Sequence, residues 1–449
     1  MMPIKNLRYI VTAAIVGLSA FALSARLDFS GLPEPAFKAD AERASGLEAV
    51  YVLPMANGVT VSYTATSSQV SWNRYGTPGQ PMTEIEGVTR NGNVYTVTLQ
   101  EGDTGFVISD GTEQHYYWIT DYSQHELRVA GLSVSPESAC DRVVLDIDGT
   151  GDAIHYFSVS GRGFELSRDI KLGWQTLEYD KEQKQWIQTP ATETLPSLHA
   201  VTGVEAPLCD TDFTLAGDRF LEFWGRGISV SSQSYTAVAV RAETEAIQES
   251  RDNSNEKNNG TDGLGGSAPC VITFTAVPTD AAVFREWQFA RTEEFEDIDR
   301  RFNQDELTYT FDEQATLYVR YQCSDAAGQC FYNSPVYTVN IGASVLECPN
   351  AFSPNGDGKN DEWKVSYQSI VSFECHIFNR WGTKLCSFTN PADGWDGKYK
   401  GKVVPTGVYF YVIKAVGADG RKYNLSGDIN ILHRSRNTGT NTTPPGSEE

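Results

Sequence analysis

PTGVYFYVIKAVGADG, residues 405–420, decides how this chain is to be read. Pro405 and Gly407 turn the backbone into a run whose alternation puts Val408, Phe410 and Val412 on one face and Tyr409, Tyr411 and Ile413 on the other. Ala418-Asp419-Gly420 then turns the chain back into another strand. The same period of two recurs in GVTVSYTA (58–65), NVYTVTLQ (93–100), HYYWITDY (115–122), RVVLDI (142–147), AIHYFSVS (153–160), YTAVAVRA (235–242), LTYTF (307–311) and TLYVRYQC (316–323). No window sustains a helical period, so the fold class is all-β.

At 449 residues the chain has room for about three domains of roughly 150 residues each. QESRDNSNEKNNGTDGLGGSAP (248–269) is polar and Gly-rich and reads as a linker. A weaker edge falls at LSVSPESAC (132–140). The expected units are an export signal at 1–25, β-sandwiches at 46–134 and 135–244, a linker at 245–267, a sandwich at 268–344, a C-terminal sandwich at 345–433 and a tail at 434–449. In 268–344, Trp287 lies in a strand-like REWQF, and Tyr321 stands two residues before Cys323. Both are features of an immunoglobulin-type sandwich, and the segment resembles the PKD-like modules of bacterial surface proteins. The architecture expected is therefore tandem immunoglobulin-like β-sandwich domains.

The formal charge of −22 excludes nucleic acid and anionic lipid as partners, because a phosphate-binding surface needs clustered Lys and Arg. Residues 345–449 hold 12 Lys+Arg against 11 Asp+Glu, so the acidity belongs entirely to the preceding segments. At the N-terminus, Lys5 and Arg8 precede an uncharged apolar run ending in Ala20, Ala22 and Ala25, the pattern of a cleaved export signal. An uncleaved anchor is the rival reading, near the lower length limit for spanning a bilayer. No later segment is apolar enough to cross a membrane.

Eight cysteines fit an oxidising compartment, and none has zinc-ligand spacing. Cys140 and Cys209 flank one expected domain and are paired on that ground. Cys375 and Cys386 are equidistant from the Asn379–Gly382 turn and so face each other, with Cys348 the rival partner for Cys375. Cys270 with Cys323 would match an inter-sheet bridge, whereas Cys323 with Cys330 fits a hairpin. These alternatives stay open.

The last hundred residues carry a family resemblance. PNAFSPNGDGKND (349–361), IFNRWG (377–382), GWDGKYKGK (394–402), PTGVYFYVI (405–413) and SGDINIL (426–432) together resemble the gliding-motility-associated C-terminal domain, the type B sorting domain of the type IX secretion system of Bacteroidetes. The motif positions are Pro354, Asn355, Gly356, Asp357, Gly358, Asn379, Arg380, Trp381, Gly382, Trp395, Asp396, Gly397, Gly407 and Tyr409. The resemblance implies export to the periplasm by the N-terminal signal, then recognition by the outer-membrane machinery and secretion or display at the outer cell surface. In that family the domain is often removed afterwards. Physically, Trp381 and Trp395 supply apolar area that a small β domain needs.

Candidate sites remain few. Asn355, Asp357, Asn360 and Asp361 present hard oxygens suited to a structural Ca²⁺, the one cofactor considered. A Gly-assisted turn in which Asn and Asp bond their own backbone takes precedence, since the EF-hand spacing fails at Lys359 and Ser366. DIDGTGD (146–152) reads as a hairpin turn. Tyr116, Trp118 and Tyr122 share a strand face and form either a sugar-stacking platform or, as the favoured reading, core. No catalytic motif is present. The leading expectation is a non-enzymatic, adhesin-like or structural display protein whose ligand is a glycan or surface protein. The alternative is a glycan-binding or glycan-cleaving site within 46–244.

Overall fold

A computed structural model describes residues 27–432 except 79, 201–202 and 258–262. The export signal and the tail expected from the sequence lie outside the described residues. Among the described residues the chain is almost all β, with no barrel, in line with the alternation.

The first unit includes residues well before the expected start at 46, because Leu27–Ser30 pairs with Thr60–Thr64. A four-stranded sheet faces a six-stranded one, in which Glu113–Asp121 lies between Thr104–Asp110 and Ala49–Leu53. Between the sheets sit Tyr63, Trp72, Tyr117 and Ile119. The other face of the six-stranded sheet, with Trp118 and Tyr122, packs against residues of the second unit, including Tyr156, Leu172, Phe220 and Trp224. Both faces of HYYWITDY are therefore buried, and the two units share one continuous core. Asp110 closes the outer edge. It accepts from Tyr63 Oη (3.1 Å), Thr66 N (2.6 Å) and Ser67 N (2.7 Å). Burial alone would raise its carboxyl, but these donors outweigh it and hold the group below the usual carboxylate range.

The second unit is built of small sheets around the four strands Gln185–Leu195, Ile170–Asp180, Thr214–Gly217 and Ile228–Ser231. DIDGTGD does not turn: Leu145–Thr150 is a strand paired with Arg128–Val134. YTAVAVRA is largely an extended connector, bridged at Tyr235 to Thr211 and entering a strand only at Ala242. Where the first two units meet, Arg168 (1 % exposed) donates to Asp218 (0 %) at 2.8 Å. Arg168 also donates to the carbonyls of Asp152 and His125. Asp218 accepts in addition from Tyr122 Oη (3.0 Å) and from Leu221 N (3.0 Å), capping the short helix Arg219–Phe223. An ion pair this dry is tolerable only because its remaining donors and acceptors are also matched.

The third unit is a two-sheet sandwich with Trp287 at its centre, against Phe274 (5.4 Å between ring centroids) and Tyr321 (5.1 Å). Tyr321 Oη donates to Asp305 at 2.6 Å. Its first strand is Ala242–Gln248, paired with Cys270–Pro278, so the sandwich starts before the segment expected to be a linker. That segment is a correction. After Gln248 the chain leaves the sandwich as a strap and lies against the C-terminal domain. Asn255 Nδ2 donates to the carbonyls of Val365 and Pro391 (2.8 Å each), and Lys257 N donates to Tyr367 O (2.6 Å). The polar composition that resembles a linker instead satisfies the backbone of a neighbouring strand.

The cysteines are also corrected. Cys140 bonds Cys330, across 190 residues, and ties the second unit to the third. Neither Cys140–Cys209 nor Cys323–Cys330 forms, and Cys209 is a free thiol. Cys270 and Cys323 are buried free thiols at opposite ends of their sandwich. Cys270 faces Phe311, whereas Cys323 lies two residues beyond Tyr321, whose hydroxyl reaches Asp305. Cys348, Cys375 and Cys386 are thiols of one core. Cys375 stands opposite Phe388 and Cys386 opposite Ile377, because an irregularity after Ile377 shifts the register assumed for a symmetric hairpin. Burial pushes the Cys375 thiol up to about 12.

A second tie joins the second and third units. The long hairpin of Ile170–Asp180 and Gln185–Leu195 reaches the third unit, where Trp186 Nε1 donates to Val277 O (2.8 Å).

Candidate functional site

The C-terminal domain is a five-stranded sheet in the order Ala351–Phe352, Lys422–Ile431, Gly407–Gly417, Ile370–Phe378, Lys384–Phe388. Its inner face holds Tyr409, Ile413, Ala415, Cys375 and Ile377 beneath the loops that carry Trp363 and Trp395. These two tryptophans bridge backbone to backbone. Their indoles donate to Pro349 O (2.7 Å) and Lys398 O (3.0 Å) respectively. Tyr409 packs on Trp395 at 5.3 Å and donates to Pro405 O (2.7 Å). Gly397 has φ +72, and a Cβ there would meet Pro354 Cγ at 3.0 Å, so GWDG and SPNG interlock where only Gly fits.

SPNGDGKND closes on itself. Asp361 accepts from Asn355 N (2.9 Å), Gly356 N and Gly358 N (2.7 Å each). Asn355 Oδ1 accepts from Asp357 N, and Asp357 Oδ1 from Lys359 N (2.9 Å each). The Gly356 N–H, followed by those of Gly358 and Asn355, holds the Asp361 carboxyl below its ordinary range. Asn360 adopts φ +51 within the same turn. These bonds form the turn that the sequence favoured. Asp396 likewise engages Lys398 Nζ (2.7 Å), and Lys398 first draws its carboxyl down.

The motif positions thus divide. Pro354, Gly397, Trp395 and Tyr409 are held in packing, and Asn379 accepts from Trp381 N (3.0 Å) and Thr383 N (2.9 Å) to shape the turn ending at Gly382. Trp381 departs from expectation: it is 79 % exposed, carried off the hairpin end with only Arg380 over its ring. The alternate residues Val408, Phe410 and Val412 of the neighbouring strand are also exposed. The sequence separated the two faces of GVYFYVIKAV correctly but could not show that one of them stays uncovered.

Elsewhere, Trp118 and Tyr122 of the aromatic group sit in the shared core, Tyr117 donates to Glu48 Oε2 (2.8 Å), and Tyr116 is partly buried against that core. Among the described residues no helix is long and apolar enough to cross a membrane.

Residues 346–431 match the CHU_C type IX secretion signal domain, and residues 133–232 match the fibronectin type III domain family Fn3_FA. The C-terminal domain is a type IX secretion signal domain, which implies recognition by that machinery and export to the cell surface or beyond. No curated protein matches the chain. Similar solved structures include a tetra-tandem repeat in the extending region of a large adhesion protein, at 12 % identity over 84 % of this chain and 96 % of that one, with TM-score 0.22. Another is a Ca²⁺-stabilized adhesin that helps an Antarctic bacterium reach out and bind ice, at 12 % identity over 86 % and 96 % with TM-score 0.18. Latent PorU from Porphyromonas gingivalis matches at 7 % identity over 71 % of this chain and 35 % of that one, with TM-score 0.15.

Proposed function

We propose that this chain is a non-enzymatic display protein, exported through residues 346–431 and held at the outer cell surface or released, with three acidic sandwiches as the presented part. The observation that carries this reading is the secretion signal domain at the end of a chain whose every joint is tied. A shared core joins the first two units, a disulfide and Trp186 the next two, and the 248–257 strap the last. Such ties suit a protein that projects a binding surface and bears load. The ligand would be a glycan or a surface protein. The aromatic group that the sequence offered as a sugar platform is packed away, so the glycan-binding alternative in 46–244 loses the stacking face offered for it. Purified full chain, tested on a glycan array and against a polysaccharide panel, is expected to give no turnover, with or without binding. Release of reducing sugar from any polysaccharide would overturn the non-enzymatic reading.

A further inference from the structure

The two ends of the secretion signal domain are unlike. At the near end the junction with the third unit is sealed. Ser344 Oγ bonds Asp419 Oδ1 (2.7 Å) and Tyr423 Oη (2.8 Å), Ser369 N donates to Ser267 Oγ (2.8 Å), and Gln314 N to Ala418 O (3.0 Å). Gly342 N also donates to Gly266 O at 2.9 Å, so the connecting residues are bonded to the third unit. The inner face of the sheet is core. Only the far end and the outer face are open.

That open region is apolar. Trp381, Val403, Val408, Phe410, Val412 and Leu432 are six of the sixteen large apolar side chains left exposed among the described residues. The fold brings them to one region. Phe378, three residues before Trp381, stands opposite Phe410, and Gly407 stands opposite Ile431, next to Leu432. Arg380 lies close enough to Tyr409, whose hydroxyl reaches Pro405, to bias its phenol downward against the larger effect of burial. Phe378 opposite Phe410 brings the following 379–382 turn to the end of the sheet at which Val403–Pro405 leads into Gly407–Gly417. Arg380, Lys384 opposite Phe378, and Lys402 beside Val403 give the patch a basic rim. Asp428, opposite Phe410, is engaged by Asn430 Nδ2 (2.9 Å). Exposed apolar side chains gathered toward one end of a domain and flanked by charge are the anatomy of a protein interface, with a large aromatic as its anchor.

We propose that this far-end patch, centred on Trp381 and Phe410, is the surface through which the type IX export machinery grips the chain, and that the partner offers an apolar hollow ringed by carboxylates. The inference rests on the reading that the chain is exported through this domain. Among the described residues this region holds every large exposed apolar side chain of the domain but Val371, and its basic rim is the feature that carboxylates on the partner would complement.

The test compares three variants in a host carrying the type IX system: the full-length Trp381→Ala/Val408→Thr/Phe410→Thr, the full-length Arg380→Glu/Lys384→Glu, and the chain truncated by deletion of 345–449. Surface fraction is read by protease accessibility on intact cells, and folding by near-UV circular dichroism of the purified chains. Loss of these three side chains is expected to lower the surface fraction about tenfold or more, with the protein folded and held in the periplasm. The rim variant, which touches no packed residue, is expected to lower it severalfold and decides the matter should the triple variant not fold. Wild-type display of the folded variants, with the deletion still trapped, would overturn this surface while leaving the export reading intact. Display of the deletion would overturn the export reading itself. Concentration-dependent dimerisation of the purified chain that Trp381→Ala abolishes would reassign the patch to self-association.

Discussion

Asp218→Ala is expected to destabilise the first two units by about 3–5 kcal/mol, the cost of leaving a buried charge without its partner. The carboxylate that it removes holds Arg168, Tyr122 and the amide of Leu221 together. The guanidinium it strands is almost wholly out of water. Because the core is continuous from Val50 to Trp224, both units should unfold together, at a lower urea midpoint and in one transition. Arg168→Met combined with Asp218→Ala should recover part of the loss, since the double variant no longer buries an unpaired charge. It should not recover all, because the carbonyls of Asp152 and His125 lose their donor. A loss below about 1 kcal/mol for Asp218→Ala would contradict the buried network.

Cys140→Ser with Cys330→Ser should have an effect of similar size. The bridge spans 190 residues, and the chain-entropy relation gives about 5 kcal/mol for a loop of that length, an upper figure because native strain and residual structure reduce it. The second consequence is mechanical. With the bridge gone, the second and third units are joined by their short connector and by the Trp186 contact, so small-angle scattering should show a broader distribution of chain dimensions. Alkylation of the denatured wild-type protein should find six free thiols and one bridge, between Cys140 and Cys330. A peptide joining Cys140 to Cys209 would contradict this assignment.

Strand content and the sandwich class were legible because alternation is a local property, and Trp287 marked its core for the same reason. The secretion signal domain was legible from five stretches in order. What the sequence hid was non-local. Polar residues at 248–257 read as solvated linker because composition does not tell water from the backbone of Tyr367 as a hydrogen-bond partner. Cys140 looked toward its sequence neighbour Cys209, whereas the fold sets it beside Cys330. An irregularity after Ile377 moved Cys386 away from the facing position that residue counting gave it. Tyr117 and Trp118 could be placed on opposite faces from sequence, but burial of both required the second unit to cover the outer face of the first. Trp381 read as core because large aromatics usually are. Its exposure follows from its place on a tight turn, which only the folded hairpin reveals.

The account turns on residues 346–431 being the address that takes the chain out of the cell. The most direct test is deletion of 345–449 in a host with the type IX system, followed by fractionation and protease treatment of intact cells. The prediction is a folded protein confined to the periplasm and protected from external protease. Undiminished appearance of the truncated chain at the cell surface or in the medium would contradict it.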